Sequence, residues 1–583
     1  MLTSAPGEAR PLPAAPERRH PGRVARLWLL PLWAHAAALA AVLMALVAVT
    51  GTGSSFSADE GAAIVQARHL AKGQGWVVDH PLPQADPTGR NYPLELSTRG
   101  PRGTAPFVKH PLYALLLAGA DRLGGITAMV LLSVAGTVVA AALGGALAAR
   151  LGAGLTRPAL WVVGLASPLL FDGYLVIAHT LAAALATAAV VSALRALEGR
   201  PPPAAAAAAG ACVAAAALLR NEAAFWGLGL GVVAGALALR RRSGRGAALA
   251  VAVAAPVAAL GAHVGEQAWI DEILSGHAVP LGGASLSTTG LLGGRLRSLA
   301  LTWLRPCYPG HSVAGVLLMV MLAAVVVGVV AARRRPARSD VAVVGAVAAG
   351  AAAGALAVAP ANVVPGLLAA FPLAAAGLAA LDTKVVQPLA GRLAVGSFAL
   401  FALAVAATQY PTGGSGEWGG RYFALGLPVL VPVLLAALGS LGSTLDRSAR
   451  RVAAAGLVAC SLAMTAMALS SLRHVHEVTG RLTAAVDRAG AVTGADRPVV
   501  VATRGAVPRL AWATFDRQRW LLSTPGGLAD VGGRLRGAGI ARIVVVTDQP
   551  ARDRAALAGL GEVMAVDRPV GGHDWEVLVI GLR

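Results

Sequence analysis

Apolar runs recur along the chain from about residue 28 to residue 471, each closed by a short polar or basic segment. They fall near 28–50, 125–149, 158–170, 174–194, 204–219, 223–239, 246–264, 311–332, 341–359, 366–381, 393–408, 422–441 and 452–471. Most are long enough to cross a hydrocarbon core of about 30 Å, which needs roughly 17–25 apolar residues as a helix. The pattern predicts about thirteen transmembrane helices. Much of the apolarity is Ala, Gly, Val and Leu, a mixture suited to close helix–helix approach in lipid.

From residue 474 the pattern changes. "RPVVVAT", "ARIVVVTDQP" and "WEVLVIGL" are short β-branched runs, while "GGLADVGGRLRGAG" and "ARDRAALAGLG" have helical character. Short buried strands alternating with helices predict a small α/β domain over 474–583. It contains no phosphate loop and no metal-ligand cluster, and a supporting or acceptor-binding role is expected for it.

Composition agrees with the periodicity. The 583 residues are 56% hydrophobic and only 13% charged, with a mean hydropathy of +0.66, whereas a soluble chain carries about 25% charged residues. The net charge of +20 does not indicate nucleic acid, because the basic residues fall in blocks between apolar runs: "ERRHPGRVAR", "RRRSGR", "RRRPAR", "RSARR". Such blocks mark cytoplasmic ends. With residues 1–27 as a basic cytoplasmic tail, the loops 51–110 and 265–310 and the final domain are expected on the extracytoplasmic side. The first apolar run is longer than the core of a cleaved signal and is read as a retained helix. Of Cys212, Cys307 and Cys460, only Cys307 is expected outside, so no disulfide framework is implied.

That threading gathers ionisable residues on one face. The first loop brings Asp59, Glu60 and, before "HPLY", Lys109 with Tyr113; "SPLLFDGYLVIAHT" brings Asp172 and His179. "LLRNEAAFW" brings Arg220 and Glu222, and "TQYPTGGSGEWGGRYF" brings Glu417 and Arg421. Ionisable groups at membrane depth are costly unless they pair or face a cavity. The bland readings are a helix start for Asp59 and Glu60, snorkelling for Lys109, a structural pair for Arg220 with Glu222, and a packed helix residue for His179. No spacing matches a metal site.

The ordered set "FSADEGAAIVQARHLAKGQGWV", "FVKHPLYALLLA", "ASPLLFDGYLVIAHTLA", "LLRNEA", "NVVPGLLAAFPL" and "EWGGRYFALGLP" resembles the GT-C membrane glycosyltransferases. It is most similar to the bacterial protein-mannosyltransferase and aminoarabinose-transferase-like branch, over residues 28 to 471. The resemblance implies a bacterial plasma-membrane enzyme transferring a hexosyl or pentosyl group from a polyprenyl-phosphate donor to an extracytoplasmic glycan, lipid or protein. No cofactor is expected, since the lipid-linked sugar is itself the donor. It further implies a catalytic acid at Asp59, with Glu60 beside it, and a second acid at Asp172. Lys109, Arg220 and Arg421 would meet the donor phosphate, supported by Glu222, Tyr113 and His179. Some relatives carry an acid immediately before the His-Thr pair, where this chain has Ala178. A dozen or so spans also suit a transporter or lipid flippase, although no matching interrupted helices are evident in the two halves. A catalytically dead scaffold is the third alternative.

Overall fold

The computed structural model describes residues 28–94, 98–100, 103–199, 201–240, 244–276, 279–280, 296, 299–300, 302–305, 312–334, 338–359, 363–408, 418–524, 526–559, 561–569 and 575–583. Glu417, Cys307, the N-terminal tail 1–27 and most of the loop 265–310 lie outside the described residues.

Ten described helices are long and apolar enough to cross a membrane. They are α1 (Leu32–Thr50), α3 (Pro111–Ala148), α4 (His179–Leu197), α5 (Glu222–Arg240), α6 (Arg245–Leu274), α7 (Ser312–Ala332), α8 (Arg338–Val358), α9 (Leu389–Thr408), α10 (Leu427–Gly442, entered through a 3-10 turn at Arg421–Gly426) and α11 (Arg447–Thr493). Between α1 and α3 lies the shorter α2 (Ala58–Ala71). Outward-facing Trp33, Leu239, Val257 and Val316 are exposed, as lipid-facing side chains of such helices are.

The other three expected spans form shorter helices, two of them for the same reason. The run at 158–170 divides into Thr156–Trp161, a π-helical turn Val162–Ala166 and Leu169–Asp172, with Ser167 extended at φ −97°, ψ 163°. The run at 366–381 divides at Phe371, φ −134°, ψ 75°. In each case the break immediately precedes a proline, whose ring excludes the helical conformation from the residue before it. One interruption falls in each half of the chain, where no matching interrupted helices were expected. The third, Pro202–Ala217, has 16 residues and is about 24 Å long.

Several boundaries also move outward. The helix expected at 125–149 begins at Pro111 and kinks at Gly124 and Gly125, the latter at φ 62° and ψ −150°. Only glycine adopts that conformation without strain. Helix α6 continues past residue 264 to Leu274. Helix α11 runs unbroken through residue 474 to Thr493, capped at its start by Asp446, which accepts from the amides of Ser448 and Ala449 at 2.8 Å.

Beyond α11, strands β4 (Val499–Ala502), β5 (Arg519–Leu522), β6 (Arg542–Thr547), β7 (Gly561–Asp567) and β8 (Glu576–Leu582) form one sheet, ordered β5-β4-β6-β8-β7. β4 is parallel to β5 and β6, whereas β8 is antiparallel to β6 and β7. A smaller sheet joins β1 (Thr98–Gly100), β2 (Gly103–Ala105) and β3 (Val279–Pro280). The alternation along β4 sorts the larger sheet's two cores. Val500 and Ala502 pack against Leu482, Ala485, Val486 and Ala489 of α11. Val499 and Val501 face the opposite way, onto α13 (Leu528–Gly537), α14 (Pro550–Leu557) and two first-loop residues, Leu82 and Ala85. The first loop is thus part of this unit's core. Between β4 and β5 lies the single-turn helix α12 (Ala506–Leu510).

Candidate functional site

The start of α2 fixes the site. Ser57 is extended, so its side chain turns back and accepts from the Glu60 amide at 3.3 Å, while the Ser57 amide donates to Glu60 Oε2 at 2.7 Å. This reciprocal capping box satisfies two donors that a helix start otherwise leaves open. Glu60 Oε1 accepts from the Val176 amide at 2.8 Å, and the residue is 1% exposed. Glu60, expected beside Asp59 as a catalytic partner, is placed as a buried brace tying α2 to the turn that precedes α4.

Asp59, one residue earlier, points the other way. Its Oδ2 accepts from Arg421 Nη2 at 3.1 Å and lies 3.7 Å from Lys109 Nζ, while Oδ1 lies 3.7 Å from Arg509 Nη1. Asp59 keeps 25% of its side-chain surface accessible and Lys109 43%. Burial disfavours the charged carboxylate, but Lys109, Arg421 and Arg509 together outweigh it and hold the Asp59 carboxyl well below the usual carboxylate range.

Each cation arrives by a separate local device. Lys109 ends a segment held by Gln66 of α2, which donates to Trp76 O at 2.9 Å and accepts from the Phe107 amide at 3.3 Å. Its ammonium lies 4.9 Å above the Phe107 ring. The next residue, His110, caps α3 and pairs through Nδ1 with Glu266 Oε1 at 3.1 Å. Arg421 follows Gly419 and Gly420, at φ 67° and 68°. A side chain at Gly419 would strike Pro168, and one at Gly420 would strike Thr302, so this tight turn needs both glycines.

The remaining predicted residues divide into two groups. Arg220 binds Glu222 in a bidentate pair, at 3.1 and 2.5 Å, and both are buried. With His179, Arg421 and Tyr422 they line a small pocket of about 10 Å³, room for about one water. Arg220 therefore adjoins Arg421 with its charge already matched. Asp172 is completely buried and faces His179 Nδ1 at 3.8 Å. Tyr113 is buried beside Phe107, ring centroids 6.2 Å apart. Among the described residues, no cluster of three or more His, Cys, Asp or Glu could hold a metal ion.

Arg509 was missed by sequence reasoning. Its segment, "GAVPRLAW", carries no motif; the one available signal was a lone arginine between apolar neighbours, which needs a buried partner.

The whole path of the chain has a known counterpart. The solved structure of ArnT from Cupriavidus metallidurans in the apo state superposes with a TM-score of 0.52 at 13% identity, over 94% of this chain and 97% of that one. The chain shares the membrane fold of this ArnT. The same ArnT bound to undecaprenyl phosphate gives a TM-score of 0.48, at 13% identity over the same shares of the two chains. Oligosaccharyltransferase AglB from Archaeoglobus fulgidus, in complex with an inhibitory peptide and a dolichol-phosphate, gives 0.49 at 12% identity, covering 92% of this chain and 71% of that one. No protein-family model and no curated protein matches the sequence.

Proposed function

We propose that this chain is a membrane glycosyltransferase that moves a sugar from a polyprenyl-phosphate donor to an acceptor hydroxyl outside the cytoplasm. The observation that carries the reading is the accessible Asp59 carboxylate with Lys109 and Arg421 converging on one of its oxygens. Solved GT-C structures with undecaprenyl phosphate or a dolichol-phosphate make this donor class a natural one to test.

The chemistry needs two groups side by side. The acceptor oxygen attacks the anomeric carbon and its proton passes to Asp59. The bond from the anomeric carbon to the phosphate oxygen breaks, and the lipid phosphate leaves with an additional negative charge. Lys109 and Arg421 are placed to hold that charge, Arg421 with the fork geometry that suits two phosphate oxygens. A carboxylate with a strongly depressed pKa is a weak base. The donor phosphate, by drawing these cations onto itself, would raise the basicity of Asp59 when the substrate is in place.

Arg220 with Glu222, and Asp172 with His179, are assigned to supporting this arrangement. The transporter reading is less well supported, because the Asp59 cluster lies at the start of the short helix α2 and not midway along a span. The deciding experiment is sugar transfer from synthetic polyprenyl-phosphate sugars by purified wild-type and Asp59→Asn proteins. Transfer at the parental rate by a folded Asp59→Asn protein removes the catalytic role. The α/β unit is proposed to lie on the extracytoplasmic side. A single cysteine at Asp496, in a background lacking the native cysteines, is expected to react with an impermeant thiol reagent in intact cells, and one at Ser443 only after lysis.

A further inference from the structure

The α/β unit touches the membrane part at the helix that carries Asp59. Helix α12 lies against the first turns of α2 so closely that a Cβ at Gly61 would sit 1.8 Å from the carbonyl oxygen of Arg509. The two backbones meet directly, and no side chain other than glycine's hydrogen fits between them. Around this point the indole of Trp512 lies under the guanidinium of Arg68 at 4.4 Å, and Lys72 pairs with Asp516 at 2.7 Å. Farther out the first loop extends the sheet edge: the Leu522 amide donates to Asn91 O at 2.9 Å, and Asn91 Nδ2 donates to Leu522 O at 2.6 Å. Arg534 donates to Ala85 O and Asn91 Oδ1.

Within that interface the Arg509 side chain is only 6% exposed, and it pairs with Asp59 Oδ1, whereas Lys109 and Arg421 pair with Oδ2. Burying a guanidinium is expensive unless an anion answers it, and Asp59 is an anion within reach. We infer that Arg509 is a positioning residue for Asp59, supplied by the α/β unit, so that the site is assembled only while that unit is seated on α2. Lys109 and Arg421 hold one carboxylate oxygen and Arg509 the other, which fixes the plane of the group. The assignment rests on the catalytic reading of Asp59 and adds that the C-terminal unit is part of the active site.

The test uses the full-length protein in lipid nanodiscs, with polyprenyl-phosphate sugar as donor. Arg509→Gln is expected to lower kcat/KM by tenfold or more and to move the acid limb of its kcat profile upward, because one cation holding Asp59 ionised in the donor complex is gone. Arg509→Lys is expected to restore most of the rate and to return the acid limb toward its parental position. Gly61→Ala, which forces α12 away, is expected to lose rate to a similar extent and to speed hydrogen exchange of the α12 amides, a readout that needs no substrate. A folded Arg509→Gln protein with parental rate and acid limb overturns the inference. So does a slow variant whose acid limb is unmoved and which lysine does not rescue, since that is a packing defect. Failure of the underlying reading looks different: Asp59→Asn itself would then transfer sugar normally.

Discussion

Two acids were expected on the same face, and the fold treats them in opposite ways. Asp59 lies in the first turn of a helix, a quarter exposed, with three cations within 3.7 Å. Asp172 ends a four-residue helix inside the bundle, fully buried, facing His179. A carboxylate that takes a proton from an incoming hydroxyl must be reachable by it, and only Asp59 is. The difference shows that facing outward in a threading diagram is not the same as facing a substrate. The proline break at Ser167 that folds residues 169–172 back into the bundle decides it.

The largest expected effect separates the two acids directly. Asp59→Asn keeps the shape and loses the base, and is expected to lower the transfer rate by about 10²–10⁴-fold. Asp172→Asn is expected to leave turnover per folded molecule within a few-fold while lowering the thermal midpoint. Paired rate and melting measurements on both variants check this, and a rate loss at Asp172 as large as that at Asp59 would break the contrast.

Next comes the charge around Asp59. Lys109→Met retains the apolar stem and is expected to cost tenfold or more in kcat/KM, about 1.4 kcal/mol or greater. Normal kinetics would return this lysine to the snorkelling class.

The pH dependence sharpens the same point. The folded-state pKa of Asp59 lies below its ordinary value of 3.8. Its ion pairs therefore contribute stability that is complete above that value and is lost only as pH falls through the folded pKa. The free-enzyme profile, kcat/KM, is expected to show no acid limb from Asp59 in the ordinary carboxylate range. The kcat profile, which reports the donor complex, is expected to show its limb at higher pH, because the phosphate has drawn the cations away. Superimposable limbs would mean that the phosphate does not use these cations.

The smallest effect is at the neighbouring carboxylate. Glu60→Gln leaves one acceptor where Glu60 offers two, so either the Ser57 or the Val176 amide loses its buried partner; a stability loss of about 1–3 kcal/mol is expected, with turnover per folded molecule unchanged. Thermal unfolding beside a transfer assay measures both.

How much of this was legible beforehand depended on the range of the interaction. Spans follow from local apolarity, and ten of the expected runs are long helices. The divisions at Ser167 and Phe371 were present in the sequence as X-Pro steps, but within apolar runs they were outweighed by hydrophobicity. Asp59, Lys109 and Arg421 are separated by up to 362 positions and were drawn together only by placing two loops on one face. Whether each charge was free or already matched was not readable: Arg220 is neutralised two residues away by Glu222, and Glu60 is consumed by its own helix cap. Arg509 carried only a weak signal, because its partner lies on α2, an element 450 positions away (509 − 59) that only the folded chain brings against α12.

Helix α11 has a mechanical consequence. It is a single rod of 47 residues, about 70 Å long, whose last turns form part of the sheet's core. Roughly 33 Å of it extends beyond the expected span. A change of tilt of about 5°, of the kind that accommodates a thinner bilayer, would swing the free end by about 3 Å. That distance is comparable to the whole gap between Arg509 and Asp59. The rod would thus act as a lever between the bilayer and the Asp59 carboxylate, and transfer rates in nanodiscs of graded acyl-chain length are expected to show an optimum thickness.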